Sequence, residues 1–249
     1  MTRILIFILT LLLISCNSKN NKVYPNGDKY FGEWKNDKPN GKGTMWFKNG
    51  DTYTGEWKDG EYNGKGIFTF VNGEKYDGEF LKSIRCGKGI YSYSSGERYE
   101  GEFKNCELNG IVTKYFSNGD KFTGRFINGN QIGSGVFVWK SGEKYIGGCR
   151  DYISHGYGVY TWPNGNVYIG SWKEGKQNGY GIFKFPNGMN IVGEWKNDLV
   201  DGKASITWEN GDRYVGEWKN NKRTGFGTFT YVNGEIIKGR WKDNEYIGK

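Results

Sequence analysis

A strict 23-residue period runs through nearly the whole chain and limits its fold more than any other feature. The segment Tyr53 to Trp57, Tyr-Thr-Gly-Glu-Trp, recurs without any insertion. Its ten copies begin at Tyr30, Tyr53, Tyr76, Tyr99, Phe122, Tyr145, Tyr168, Ile191, Tyr214 and Ile237. We call these copies repeats one to ten and count positions 1 to 23 from these residues. Such a period indicates one array of supersecondary units rather than a globular domain.

Glycines and aromatic residues recur at fixed positions of each repeat and predict β-hairpins. Positions 3 and 12 are always glycine, and position 14 is glycine except at Val112 and Ala204. Position 5 carries a ring except at Cys149, and position 18 is always aromatic. Residues such as Tyr53 and Trp57 share one face at the two-residue spacing of a strand. Asn-Gly or Ser-Gly dipeptides between repeats are turn signals.

Stacked hairpins would bury these rings in a continuous aromatic layer, which no single hairpin could form in water. The glycines at positions 3 and 14 then leave room for a ring to lie flat on the backbone. A three-residue Asn-Gly turn, with glycine in the left-handed conformation, would put the rings of positions 1, 5 and 18 on one face. We predict this turn, and a loop such as Lys58 to Asn63 at the other end of each hairpin.

The pattern Tyr-x-Gly-Glu-Trp followed by Gly-x-Gly resembles the MORN (membrane occupation and recognition nexus) repeat from Val23 to Lys249. The resemblance implies an all-β, elongated single-layer array of stacked β-hairpins that scaffolds proteins or associates with membranes. Repeats five to seven depart from the pattern because Arg125, Gly148 and Ser171 replace the glutamate of position 4. We expect that stretch to present a different surface.

The N-terminus has the features of an export signal. Arg3 precedes an apolar run from Ile4 to Ile14, which is too short to span a bilayer. Ser15-Cys16 then resembles the bacterial lipobox, in which the cysteine becomes lipidated. The alternative is an ordinary secretory signal in which Cys16 is incidental. The lipobox would give an exported protein that is lipid-anchored on the bacterial cell membrane or the outer membrane.

These interpretations divide the chain into a signal peptide (1–15), a lipidated N-terminus with a polar linker (16–22) and the repeat array (23–249). The tenth repeat is incomplete, and we expect the chain to stop before its second strand. An open sheet edge there would allow end-to-end pairing with a second copy, or be protected by nearby lysines and Asp243.

The formal net charge of +8 derives largely from lysines that recur with the repeat. They indicate either a solvated face or attraction to anionic lipid headgroups. An exported protein rarely meets nucleic acid, so we predict no nucleic-acid partner.

No arrangement of catalytic, cofactor-binding or metal-ligating residues stands out. The single histidine, His155, occupies a position where other repeats carry asparagine, and the position-4 glutamates form a row of equivalents rather than an acid/base pair. Cys86 and Cys106 fall on the same side of adjacent hairpins, so they form either a disulfide or two thiols. Cys149 is expected to be a small buried residue. We predict neither an enzyme nor a cofactor.

The aromatic rows are the feature that could carry a specific function. A one-layer sheet leaves part of each ring exposed, which predicts a groove. Its candidate residues are Tyr53, Trp57, Phe68, Phe70, Tyr76, Phe80, Tyr91, Tyr93, Phe137, Trp139, Tyr160, Trp162, Phe183 and Phe185. The leading hypothesis is a membrane-anchored scaffold that binds an unidentified protein partner there. The alternative is a phospholipid- or glycan-binding protein of the envelope.

Overall fold

The computed structural model describes residues 19–249, which form an all-β fold of stacked hairpins without a helix. This confirms the predicted fold class. The chain divides into two compact segments, an N-terminal one that ends at Ile84 and a C-terminal one from Arg85 to Lys249. Within each segment, successive strands pair antiparallel with their neighbours in chain order.

The N-terminal segment contains six complete strands, and the next strand begins at its last residue. They are β1 (Lys19–Val23), β2 (Lys29–Lys35), β3 (Lys38–Trp46), β4 (Thr52–Lys58), β5 (Glu61–Thr69) and β6 (Lys75–Leu81). The strands that follow are β7 (Ile84–Ser92), β8 (Arg98–Lys104), β9 (Glu107–Tyr115), β10 (Lys121–Ile127), β11 (Asn130–Val138), β12 (Lys144–Arg150), β13 (Ile153–Thr161), β14 (Val167–Lys173), β15 (Lys176–Lys184), β16 (Asn190–Lys196), β17 (Leu199–Thr207), β18 (Arg213–Lys219), β19 (Lys222–Thr230), β20 (Ile236–Lys242) and β21 (Glu245–Gly248).

The turns between repeats have the three-residue form that the sequence predicted. At one of them the Phe47 amide donates to the Asp51 carbonyl, and the Gly50 amide donates to the Phe47 carbonyl. Gly50 has φ +95°, a left-handed conformation that glycine adopts without strain. The register then pairs Met45, at position 16, with Tyr53, at position 1 of the next repeat. Phe47, at position 18, follows Met45 by two residues and therefore lies on the same face. The rings of positions 18 and 1 share a face as expected.

The turns within repeats are tighter than the loop predicted for Lys58 to Asn63. Lys58 pairs directly with Glu61, which leaves only Asp59 and Gly60 in the turn, both with positive φ. Two such residues define a type I′ turn, whose twist matches that of the flanking strands. A β-bulge between Gly55 and Trp57 absorbs the extra residues. The predicted loop was wrong because the bulge was not apparent from the sequence.

The array is slightly longer at both ends than the sequence suggested. β1 begins at Lys19 rather than at Val23, because Lys19 to Lys22 continue the pairing with β2. β21 supplies four residues of a second strand to repeat ten, in which Trp241 pairs with Tyr246. The expectation that the chain stops before this strand was wrong, since a few residues suffice to pair with a neighbour already in place.

Candidate functional site: an aromatic groove

The tyrosines at position 1 pack onto the glycines of their own hairpins. Tyr53 is fully buried, and a Cβ on Gly55 would lie only 2.7 Å from its hydroxyl. That hydroxyl donates a 2.8 Å hydrogen bond to the Glu56 carbonyl at the bulge. The tyrosines that make the same bond are Tyr30, Tyr76, Tyr145, Tyr168 and Tyr214. Glycine therefore provides the space for the ring, and the hydroxyl satisfies a backbone acceptor that the bulge removes from the ladder.

Burial keeps these hydroxyls in their donor form. It raises the pKa of Tyr30 to about 12, with smaller contributions from Tyr24 and Glu33. It raises the pKa of Tyr214 to about 12 as well, although the positive charge of Arg223 acts in the opposite direction. At neutral pH these side chains are therefore uncharged structural groups rather than candidate bases.

The rings at position 5 connect each hairpin to the preceding one. The Trp57 indole donates a 3.1 Å hydrogen bond to the Gly43 carbonyl, and its ring meets Tyr30 and Tyr53 edge-on at 5.1 Å. The tryptophans that make the same bond to position 14 of the preceding repeat are Trp172, Trp195, Trp218 and Trp241. Edge-on contacts of this kind are the favoured arrangement of aromatic pairs.

Two repeats carry a side chain at position 14, and each accommodates it differently. In repeat eight, Ala204 accompanies Ile191 at position 1, so no ring has to lie on the backbone. In repeat four, Val112 is fully buried and a Cβ on Gly101 would lie 2.8 Å from its Cγ2. Because Val112 fills the space that position-1 rings occupy elsewhere, Tyr99 is only half-buried. Its ring lies 6.0 Å from that of Tyr93.

The rings at positions 16 and 18, which we call the groove rings, remain partly exposed after this packing is complete. In the C-terminal segment they form a continuous series through Phe116, Phe137, Trp139, Tyr160, Trp162, Phe183 and Phe185. Successive centroids along this series are 5.5, 4.3, 5.2, 4.4, 5.1 and 4.7 Å apart. The N-terminal segment has a series of its own through Phe47, Phe68 and Phe70, with centroid separations of 5.9 and 4.7 Å.

The structure separates the fourteen candidate groove residues into two groups. Tyr53, Trp57, Tyr76 and Phe80 are at most 4% exposed, so they pack the sheet and offer no surface to a ligand. The ten that keep exposed surface are Phe68, Phe70, Tyr91, Tyr93, Phe137, Trp139, Tyr160, Trp162, Phe183 and Phe185. The sequence did not distinguish the groups, because both fall on the same face of the strands.

A cation interrupts the groove rings at repeat four. Lys114 takes position 16, and its Nζ lies 4.4 Å from the Phe116 centroid, 5.0 Å from that of Tyr152 and 3.5 Å from the Glu97 carboxylate. Its side chain is only 12% exposed. Burial raises the pKa of Tyr152, and a hydrogen bond with Tyr99 adds to the rise. The cluster is stabilised by cation–π and ionic contacts in a partly desolvated place.

Tyr152 also replaces the ring that is missing at Cys149. Its side chain meets Phe122 edge-on at 5.0 Å, the contact that a position-5 ring makes elsewhere. Cys149 itself is half-buried and accepts a 3.2 Å hydrogen bond from Gln131. Burial raises the pKa of the Cys149 thiol. A small buried residue was expected at Cys149, so that expectation was only partly right.

Cys86 and Cys106 are thiols in the structure, which is the second of the two alternatives considered above. Their hairpins are adjacent as expected, since the Cys106 amide donates a 3.0 Å hydrogen bond to the carbonyl of Arg85. Cys106 lies in the type I′ turn and is exposed.

The opposite face of the sheet changes character in the middle of the C-terminal segment. Lys88 pairs across the strands with Glu102, and Lys203 with Glu217. Between these two pairs the same row of cross-strand pairs carries Tyr157 opposite Ser171. The Tyr157 side chain is 66% exposed. The prediction that repeats five to seven present a different surface is therefore confirmed.

Several predictions concern residues or ligands that the structure does not describe. The signal peptide and Cys16 lie outside residues 19–249. Within those residues, no three side chains of His, Cys, Asp or Glu are grouped as they would be around a metal ion. The same part of the chain contains no long apolar helix of the kind that crosses a bilayer.

A family model for the MORN repeat matches the chain eight times, at residues 30–52, 53–75, 76–98, 122–144, 145–167, 168–190, 192–213 and 214–236. These matches cover well over half of the sequence. The chain belongs to the MORN-repeat family. MORN repeats make it a repeat-based interaction scaffold. The matches omit residues 99–121, the repeat in which Val112 and Lys114 replace the usual residues, although the structure forms the same hairpin there.

Two solved structures that resemble this chain are distant in sequence. The wild-type TCP10 domain of Danio rerio CPAP is 13% identical, with 89% of this chain and 100% of that chain covered and a TM-score of 0.32. The TCP domain of Drosophila melanogaster SAS-4, in complex with a proline-rich motif of Ana2, is 12% identical, with 90% of each chain covered and a TM-score of 0.33. These values support no inference about function. Comparison with curated proteins finds no match.

Proposed function

We propose that this MORN-repeat protein is a non-enzymatic interaction scaffold, lipid-anchored at the bacterial cell envelope, and that its groove rings bind a protein partner. The observation that carries the proposal is the partial exposure of the series from Phe116 to Phe185. The sheet is already packed by the rings of positions 1 and 5. The groove rings therefore retain surface that a ligand can still bury.

A row of rings suits a protein ligand for two physical reasons. Aromatic side chains provide a large contact area at low entropic cost and dominate the energetics of many interfaces. Neighbouring rings such as Phe137 and Trp139 also hold each other in place at 4.3 Å, so little ordering remains to be done on binding. An extended segment or an amphipathic helix of the partner fits such a surface.

The membrane anchor is supported by the sequence at Cys16, and the position of β1 sets how near the array would lie to such an anchor. Strand pairing begins at Lys19, three residues after Cys16. Three residues span at most about 10 Å of extended chain. A lipid on Cys16 would therefore hold the first hairpin close to the bilayer surface.

Crosslinking in cells tests the groove. We expect the triple variant Phe68→Ser, Phe137→Ser and Phe183→Ser to capture its partner at least about tenfold less than the wild type, because each change removes a central ring of the interface. The captured proteins are identified by mass spectrometry and quantified for both forms. Circular dichroism and thermal unfolding verify that the variant remains folded.

A matched control changes the residue just before each of these rings, with Ile67→Ser, Val136→Ser and Ile182→Ser on the opposite face. This control should capture the partner as well as the wild type does. Equal loss in both variants would place the interaction elsewhere. If neither form enriches a protein, sedimentation with phospholipid vesicles and with cell-wall material decides whether the alternative, a phospholipid- or glycan-binding envelope protein, replaces the scaffold.

Metabolic labelling tests the anchor. Cells that express the full chain and receive a labelled fatty acid should yield labelled wild-type protein, whereas Cys16→Ala should abolish the label and release the protein from the membrane fraction. Cys106→Ala is the control, because it removes an exposed thiol within the array. An unlabelled wild-type protein would contradict the anchor and leave the groove proposal standing.

A further inference from the structure

The face of the sheet opposite the groove rings carries a row of aliphatic side chains in the C-terminal segment. Val136 pairs with Ile146 across the strands, Ile146 pairs with Val159, and the pairing continues strand by strand. The members of this row, which we call the aliphatic stripe, are Val136, Ile146, Val159, Ile169, Ile182 and Val192. Neighbouring strands lie about 4.8 Å apart, so the stripe across β11 to β16 is about 24 Å long.

The stripe is a partly exposed surface rather than a part of the core. Ile146 is 46% exposed, and the other members are half-buried. Tyr157 and Tyr180 extend the apolar surface, because each lies two residues before a member of the stripe and therefore on the same face. Their side chains are 66% and 62% exposed.

The same row is polar elsewhere in the array. In the N-terminal segment the hydroxyls of Thr44 and Thr54 form a 3.0 Å hydrogen bond with each other. Ile67 stands opposite Asp77 in that row. The strands therefore pair with polar residues in the row, and pairing alone does not account for the aliphatic stripe.

Strands β10 to β15, which bear most of the stripe, contain cations and no carboxylate. Their cations, all exposed, are Lys121, Arg125, Lys144, Arg150, Lys173, Lys176 and Lys184. Residues 121–184 as a whole contain eight cations and three acidic residues, and so supply a formal +5 of the net charge of +8. In other repeats a lysine of this face stands opposite a glutamate, as Lys88 does opposite Glu102.

The seven strand cations keep their charge without an acidic partner. Within residues 19–249, none of them forms an ion pair. The three acidic residues of this stretch, Glu143, Asp151 and Glu174, lie in turns at the ends of the strands. Glu143 accepts a hydrogen bond from the Ser141 hydroxyl. Lys121 lies 5.4 Å from the centroid of the Tyr115 ring, a contact that leaves its charge without a counterion.

A ligand that fits this face is both apolar and acidic. Lys144 and Lys184 lie on the side of the stripe toward the turns between repeats, and Lys173 lies on the other side, toward the turns within repeats. Apolar groups would cover the stripe, while carboxylates on both sides of them would meet these cations. A basic ligand would be repelled, and a purely acidic one would leave the stripe exposed.

The shape of the face favours a flexible chain over a planar surface. Neighbouring strands of a sheet are rotated by roughly 20°, so five steps turn the stripe by about 100°. A bilayer would contact only part of it, whereas an extended polypeptide can follow it from Val136 to Val192. About seven or eight extended residues span that length. The aliphatic members of the stripe also give nucleic-acid bases no rings to stack on.

We propose that this face binds an acidic, extended polypeptide segment, whose apolar side chains lie on the aliphatic stripe and whose carboxylates meet the cations on either side. The groove rings lie on the other face of the same strands. A protein that binds the groove rings is retained by variants of the stripe, so the two interfaces fail independently. The proposal does not require a lipid on Cys16.

Calorimetric titration of the purified full-length protein with the peptide acetyl-(Leu-Glu-Glu)4-amide tests the proposal. In a polyproline II conformation this peptide presents leucine on one side and glutamate on the two others. We expect a Kd on the order of 100 μM at low salt. The peptide acetyl-(Ser-Glu-Glu)4-amide should bind about tenfold more weakly, because it cannot cover the stripe. The peptide acetyl-(Leu-Lys-Lys)4-amide should not bind.

A charge-reversal variant tests the cations. Lys144→Glu combined with Lys173→Glu should weaken binding of the Leu-Glu-Glu peptide about tenfold. The matched control is Lys29→Glu combined with Lys58→Glu, which changes the same two positions of the repeat outside the stripe and gives the same net charge. This control should leave the Kd within about twofold of the wild-type value.

A second variant tests the stripe without a change of charge. Ile146→Thr combined with Ile182→Thr should weaken binding about tenfold. Threonine already occupies this row at Thr44, so the variant should fold, which circular dichroism verifies. Ile67→Thr combined with Ile90→Thr is the matched control, and it should leave the Kd unchanged.

Four results would each overturn the proposal. The first is that the Leu-Glu-Glu peptide does not saturate, and the second is that its lysine counterpart binds equally well. The third is that each control weakens binding as much as its matched variant. The fourth is that vesicles containing phosphatidylglycerol bind to this face while the peptide does not, which would make the face a membrane surface. A loss of peptide binding in the groove variant alone would likewise place the peptide in the groove.

Discussion

Gly181→Ala should lower the free energy of unfolding by about 2 to 3 kcal/mol, the cost of overfilling a packed site. The new Cβ would lie 2.5 Å from Cζ of Tyr168, a ring that is fully buried. Urea unfolding of the wild type and the variant measures the difference. The effect should be larger than that of most surface substitutions.

A double-mutant cycle shows whether the steric conflict is the cause. Tyr168→Ile combined with Gly181→Ala reproduces the Ile191 and Ala204 pair of repeat eight. The double variant should be more stable than the sum of the single variants predicts by at least about 1 kcal/mol. Ile182→Ala, on the opposite face of the same strand, is the control without this coupling. Additive effects in the cycle would contradict the account of why glycine occupies position 14.

Trp195→Ala should lower the free energy of unfolding by about 3 to 5 kcal/mol, because it removes a large buried ring between two hairpins. Its indole also donates a 3.4 Å hydrogen bond to the Gly181 carbonyl, which would lose its partner. Trp195→Phe should cost only about 1 kcal/mol, since Phe80 and Phe103 fill the same position in other repeats. Chemical unfolding of both variants gives the two values.

Hydrogen exchange should show that the damage in Trp195→Ala is local. Repeat proteins are stabilised mainly by contacts between neighbours, so protection should fall in β15 to β17 and persist in β4 to β6. Trp46→Ala is a suitable control, because Trp46 is 44% exposed and its loss should leave protection unchanged. A uniform loss of protection would mean that the array unfolds as one cooperative body.

The regular part of the fold was predictable from particular residues. Gly55 and Gly66 mark where Tyr53 must lie, and the Asn-Gly dipeptides mark the three-residue turns. These features depend on contacts within one hairpin or between adjacent hairpins, and each contact is repeated many times. Because every copy has to meet the same steric requirement, the residue type that recurs at a position shows what that requirement is.

The irregular part was not predictable, because its contacts join residues that the period does not relate. Tyr152 reaches Phe122 from a turn in the next repeat and replaces the ring absent at Cys149. Lys114 lies among the rings of Phe116 and Tyr152 although its position is apolar in other repeats. Val112 could have indicated the conflict from the sequence, since it replaces the glycine of position 14 in a repeat that still has a tyrosine, Tyr99, at position 1. The position of the displaced ring required the structure.

The way that hairpins are joined has a consequence for how such a gene can grow or shrink. Each regular repeat carries its own place for a tyrosine and the carbonyl that accepts the next tryptophan, as Gly43 does for Trp57. In-frame duplication or loss of 23 codons within a regular stretch would therefore join two compatible surfaces, whatever the breakpoint. The stretch from Phe116 to Tyr152 lacks this freedom, because Tyr152 packs on Phe122 and Lys114 lies between Phe116 and Tyr152, so recombination there would separate side chains that have no counterpart in the regular repeats.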